Sequence, residues 1–176
     1  MRKISSWTHS LKAYISRYLF SYIAMFHHKE IAIDTTKPFD IIDITDHVTQ
    51  FLQDIQAKEW QVNVFTRHTT AVLKINEAES GLRKDLQIWS DKVIPMEDRY
   101  HHNDLPNRDP KTMCASKEEC LNGHAHIRSM LLWVSSETIP VAAGKMLLGV
   151  RQRILLIEMD HARPRTIICS FMGETK

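Results

Sequence analysis

The chain predicts a single α+β domain, a largely antiparallel sheet packed with two or three helices. Two observations carry this. A length of 176 residues suffices for one hydrophobic core and is short for two. Short β-prone runs broken by polar turns are mixed with amphipathic helical stripes, without the regular strand–helix alternation that builds a parallel sheet. Hydrophobic residues at 43% and charged residues at 25% are ordinary globular usage, which excludes disordered and fibrous classes.

The elements follow in order. Ile31 and Ile33 alternate with small or polar neighbours, and Phe39 to Ile44 lie beyond Pro38, giving a first strand pair. Thr45 is a candidate N-cap for a helix whose Val48, Phe51, Leu52 and Ile55 form one apolar stripe. Trp60, Val62 and Val64 alternate with polar residues and Ala71 to Ile75 is β-prone, which leaves His68, Thr69 and Thr70 where a strand ends or turns. Leu82, Leu86, Trp89 and Val93 sit at helical spacing with Arg83, Lys84, Asp85 and Asp91 outward, until Pro95 stops the helix. Residues 95–123 read as a long polar loop with a candidate short helix over Met113 to Leu121. Ile127, Met130, Leu131 and Val134 predict a brief helix facing the core. Thr138 to Val141, Lys145 to Gly149, Ile154 to Met159 and Thr166 to Met172 then read as strands, with Ala143-Gly144 as a turn.

The net charge of +2 is asymmetric, because Arg2, Lys3, Lys12, Arg17 and Lys29 precede the first acidic residue, Glu30. Without them the chain is slightly acidic, which excludes a nucleic-acid-binding surface on charge grounds. Residues 1–29 form a basic extension with an apolar run from Tyr18 to Phe26, far short of the ~20 residues a membrane span needs. The extension reads either as a membrane-surface or organelle-targeting helix, or as an incidental segment with the domain starting near Met25. The domain itself is assigned to residues 30–176. Three cysteines, Cys114, Cys120 and Cys169, form no C-x-x-C pair and fit a reducing, cytoplasmic compartment as packing or loop residues.

Ten histidines are a high count, and His68, His101, His102, His124 and His126 fall in or beside loop segments. Imidazoles with nearby carboxylates such as Glu77 could converge on a divalent ion, zinc or magnesium, or stay hydrogen-bonded loop histidines. His124 and His126 lie about 200° apart if helical, so only one would then face a shared site.

The stretches His68-Thr69-Thr70-Ala71, Ile75-Asn76-Glu77, Tyr100-His101-His102-Asn103 and Asn122-Gly123-His124-Ala125-His126-Ile127, followed by Leu147-Leu148-Gly149 and Gln152, resemble the YjbQ-like family, also called secondary thiamine-phosphate synthases. The resemblance covers about residues 30–174. It implies a homotrimer with a polar cleft, His68, His102 and His126 as metal ligands, and Glu77 and His126 as catalytic groups. Thr69, Thr70, Asn76, Arg128 and Gln152 become the implied substrate contacts. The family's G-T-W-Q stands here as Gly149-Val150-Arg151-Gln152, so the tryptophan is lost. The implied reaction joins a pyrimidine-methyl diphosphate to a thiazole phosphate. Competing expectations are metal-assisted hydrolysis of a small phosphorylated or acyl compound, and binding of a metal or small anion without turnover.

Overall fold

The computed structural model describes residues 25–113, 121–132 and 134–176. Among the described residues eight strands form two antiparallel sheets, accompanied by three α-helices. The strands are β1 Met25–Asp34, β2 Ile41–Asp43, β3 Ala57–Thr66, β4 Ala71–Glu77, β5 Ser136–Ala142, β6 Lys145–Met146, β7 Gln152–Glu158 and β8 Pro164–Thr175. The larger sheet has the order β1-β8-β3-β5-β6 and the smaller β2-β7-β4. The helices are α1 Thr45–Asp54, α2 Ser80–Val93 and α3 Gly123–Leu132. The α+β, antiparallel expectation therefore holds. Among the described residues no helix is long and apolar enough to cross a membrane.

The period-two pattern does its expected work in the large sheet. Val62 and Val64 of β3 and Ile167, Cys169 and Phe171 of β8 point to the same side, all essentially without solvent contact. They pack with Ile44, with Val48, Phe51 and Leu52 from the apolar stripe of α1, and with Leu73, Ile154 and Leu156 of the small sheet. Each such side chain removed from water contributes about 1.5–3 kcal/mol. Burial also pushes the Cys169 thiol up to about 12, so it serves packing, as expected. Cys114, Cys120, the candidate helix over 113–121 and the extension up to residue 24 lie largely or wholly outside the described residues.

Several local expectations are corrected. β1 begins at Met25, which pairs with Gly173, so the sheet starts before the boundary expected at Glu30. Thr45 is the first residue of α1 rather than its cap; its hydroxyl donates to Asp43 Oδ1 at 2.6 Å and accepts from Ile154 N–H at 2.8 Å. In α2 the stripe expected inside is largely outside, with Trp89 and Val93 about half exposed. In α3 the phase is inverted. Met130 and Leu131 face water, while His124, Ala125 and Arg128 are buried. Arg128 sets that phase, because its guanidinium donates to the Ile94 carbonyl and to Asp91 Oδ1 at 2.7 Å, tying α3 to the end of α2. Satisfying a buried guanidinium outweighs the burial of two apolar side chains.

One buried ion pair joins the two sheets. Arg165 of β8 and Glu158 of β7 are both almost fully buried and doubly hydrogen-bonded. Arg165 also donates to Thr70 Oγ1 at 3.1 Å, and Thr35, just beyond β1, donates to Glu158 Oε2 at 3.0 Å. Glu158→Leu strands an unpaired guanidinium and is expected to cost about 3–5 kcal/mol in urea unfolding, with Glu158→Leu/Arg165→Met recovering most of it. A single-variant loss below about 1 kcal/mol would contradict the bridging role.

Candidate functional site

Directly above that ion pair opens a cleft of about 410 Å³. The turn between β3 and β4 supplies Arg67, His68, Thr69 and Thr70 to one wall. The loop after α2 supplies His102, from a single 3₁₀ turn at His101–Asn103, and Arg108. Asn122 and His126 come from the start of α3, and Arg163 and Arg165 from the approach to β8 and its first turn. The described residues that line the cleft thus include four arginines and three histidines, and none is Asp or Glu.

Backbone chemistry brings the loop and α3 together. Gly123 N–H donates to Asn103 Oδ1 at 2.9 Å, and a Cβ at Gly123 would sit 2.6 Å from Tyr100 Cβ. Only glycine permits that approach. The Tyr100 hydroxyl donates in turn to the Pro95 carbonyl. Arg108 holds the loop from within, donating to the carbonyls of His102 at 3.0 Å and Thr112 at 3.3 Å.

A directional chain fixes the state of His102. Asp160 accepts from Asn122 Nδ2 at 2.7 Å, so Asn122 turns its amide oxygen toward His102 Nε2, 3.1 Å away. That nitrogen must donate, which leaves Nδ1 as the basic lone pair of the neutral ring. Burial opposes ionisation of Asp160, but hydrogen bonds from Asn122 and His161 and the charges of His161 and Arg163 outweigh it and hold its carboxyl below the usual range. The rings of His102 and His126 lie 4.6 Å apart, tilted by 52°. Burial, then the neighbouring Arg108 charge, holds His102 below its ordinary 6.5; burial, then the charges of His102 and Arg108, does the same for His126. Both are neutral at pH 7 and available as bases.

His68 serves differently. Its Nε2 accepts from Thr166 N–H at 2.9 Å, pinning the β3–β4 turn to β8 and leaving the proton on Nδ1. Burial, with the charges of Arg165, Arg67 and Arg163, also holds this ring below 6.5. Three of the four guanidiniums have carboxylate partners: Arg67 with Glu30 at 3.1 Å, Arg163 with Asp160 at 2.7 Å, and Arg165 with Glu158. Arg108 has none among the described residues, so the cleft carries an uncompensated positive charge there.

The cleft is lined by His68, His102, His126, Thr69 and Thr70 together, and not by the other candidate site residues. Glu77 pairs with Arg151 at 2.6 Å, and Gln152 pairs in register with Glu77 while accepting from Gly149 N–H at 2.7 Å. With Asn76, they stand at the far end of β4, on the order of 20 Å from His68. Arg128 is a brace between helices, not an anion contact. Of the two histidines on α3, only His126 faces the cleft; His124 is buried beside Tyr100, and neither of its ring nitrogens has a partner among the described residues. The three-histidine ligand set does not fit a divalent ion within one chain. Among the described residues no three His, Cys, Asp or Glu side chains are grouped to hold one, His68 Nε2 is committed to the backbone, and the wall is cationic. The arginines and Asn122 were not expected; Arg163-Pro164-Arg165, close behind Asp160, is the one local signal that could have found two of them.

This is a two-sheet α+β protein with an arginine- and histidine-lined cleft, and the comparisons place it. The family model described as UPF0047 protein YjbQ-like matches residues 29–174, so the chain belongs to that family. A UPF0047 protein of Archaeoglobus fulgidus is 36% identical over 139 residues, 79% of this chain and 96% of that protein. YugU of Bacillus subtilis, also a UPF0047 protein, is 32% identical over 149 residues, 82% of this chain and 98% of its own length. A YbjQ-like protein from Sulfolobus solfataricus superposes with a TM-score of 0.73 at 27% identity, covering 86% of this chain and 99% of the other. A YjbQ/UPF0047 protein of Clostridium acetobutylicum gives 0.67 at 30% identity, covering 80% and 97%.

The depressed histidines make stability pH-dependent. A folded-state pKa below the unfolded value of about 6.5 means the unfolded chain takes up protons first as pH falls. Stability is fully present above about pH 6.5 and is lost below it. The urea midpoint is expected to be lower at pH 5 than at pH 7.5, and a His126→Gln variant should show a smaller drop. Equal midpoints at both pH values would contradict neutral burial of these rings.

Proposed function

We propose that this protein binds a small phosphorylated compound in the arginine and histidine cleft and acts on it with His126 as the acid/base group. The carrying observation is the wall itself, four guanidiniums and three imidazoles without a carboxylate among the described lining residues. Guanidiniums bind phosphate oxygens through paired, charge-assisted hydrogen bonds, and neutral imidazoles beside them take or give a proton near pH 7. Thr69 at the rim adds a hydroxyl.

The reaction implied by the family resemblance is of the thiamine-phosphate synthase type. The nitrogen of a thiazole phosphate bonds to the methylene carbon of a pyrimidine-methyl diphosphate as the carbon–oxygen bond breaks and pyrophosphate leaves with the electron pair. In this cleft Arg108, Arg67 and Arg163 would neutralise the departing diphosphate, while the negative charge of the bound diphosphate would draw a proton from water onto His126, which would then pass it to the leaving diphosphate. Assembly as a homotrimer in the cytoplasm belongs to the same proposal. Exposed Phe26 and Met172, paired across β1 and β8, give the large sheet an apolar outer patch in its support. Anion binding without turnover is the second reading, favoured by the position of Glu77 outside the cleft.

Incubating the full chain with the two thiamine precursors is expected to yield thiamine phosphate, with His126→Ala lowering the rate on the order of 100-fold. Pyrophosphate binding with no product from the wild type would overturn turnover and favour the second reading.

A further inference from the structure

A separate cavity lies beneath α2. The small sheet turns Leu73, Ile154 and Leu156 into the main core, and Ile41, Leu155 and Ile157 to its other face. That face is roofed by α2, yet Ser90 is the only buried residue of the helix. Leu82 and Leu86 reach toward the sheet without closing the space, and about 100 Å³ stays open between helix and strands. Lys74, Asn76, Glu77 and Arg83 complete its lining, and it shares no residue with the arginine and histidine cleft.

The lining is aliphatic on one side and charged on the other, and the charges do not cancel. Glu77 is neutralised by Arg151 at 2.6 Å. Lys74 faces Glu137 only at 3.8 Å, beyond hydrogen-bond reach. Arg83 has no carboxylate partner among the described residues. Its Nη1 donates to the Ile41 carbonyl at 2.8 Å, which fixes the guanidinium at the edge of β2, and its buried Nε has no acceptor. A fixed cation with unfilled donors beside an aliphatic cavity is the complement of an anion that carries an apolar chain. A dry apolar cavity of about 150 Å³ takes a benzene-sized guest, so about 100 Å³ suits a chain of about four to six carbons with its charged head at the mouth.

We propose that the cavity beneath α2 binds a short-chain aliphatic carboxylate, its carboxylate between Arg83 and Lys74 and its chain against Ile41, Leu155 and Ile157. The chain would fill the space that Leu82 and Leu86 leave open, and so join α2 to the small sheet. This site and its ligand class stand independently of what the arginine and histidine cleft binds.

The test is an NMR titration of the full chain, labelled at its leucine and isoleucine methyl groups, with acetate, hexanoate and hexanol. Hexanoate is expected to shift the methyls of Leu82, Leu86, Leu155 and Ile157, and to bind about 30-fold tighter than acetate as its methylenes leave water. It should also bind about tenfold tighter than hexanol, the gain from the charged head. Arg83→Gln/Lys74→Gln should bring hexanoate down to the affinity of hexanol, with an otherwise unchanged methyl spectrum showing that the variant is folded. Equal affinity of the wild type for acetate and hexanoate, or for hexanoate and hexanol, overturns the inference without recourse to the variant. So do hexanoate shifts confined to methyls elsewhere, and a preference for hexanoate over hexanol that survives undiminished in the folded double variant.

Discussion

The buried Arg165–Glu158 pair is the constraint from which the rest of the molecule follows. It joins the two sheets, and Thr70 and Thr35 each add a hydrogen bond to it. Removing two charges from water is costly, and the arrangement holds because each buried group is hydrogen-bonded on more than one side. Its consequence for function is electrostatic. Glu158 and, beside it, Asp160 turn toward Arg165, Arg163 and Asn122, so neither carboxylate lines the cleft.

A cationic wall explains the histidines. In apolar burial an imidazole sheds its proton, and arginines nearby reinforce that preference, which is the common pattern at His68, His102 and His126. The same field attracts an anion and disfavours a divalent cation. Direction is then supplied by hydrogen bonds: Asp160 orients Asn122, and Asn122 determines which nitrogen of His102 carries the proton. A cluster that looks like a metal site by composition is, once oriented, a set of neutral rings beside four guanidiniums.

Much of the fold was legible in the sequence because strand alternation is local. Val62 and Val64, or Ile167 and Phe171, announce a buried sheet face without reference to anything distant. The stripe of α1 was legible for the same reason. The stripes of α2 and α3 misled, because their rotation is governed by Arg128 reaching Asp91 and Ile94, a contact across more than thirty positions that no periodicity encodes. The site divides along the same line. The motif segments carrying His68, His102 and His126 do converge, yet Glu77, although close in sequence to His68, is carried away by the length of β4. Arg108 had no local pattern distinguishing it from a surface arginine, Arg163 and Arg165 had only their spacing around Pro164, and it is the topology that brings all three to the cleft with Arg67.

If these imidazoles serve an anion cradle, a crystal structure of the full chain grown with pyrophosphate and zinc together will show pyrophosphate between Arg67, Arg108 and Arg163, in contact with His126, and no zinc bridging the histidines of one chain. Zinc coordinated by His68, His102 and His126 of one chain, with the Thr166 hydrogen bond broken and pyrophosphate absent from the arginines, would contradict it.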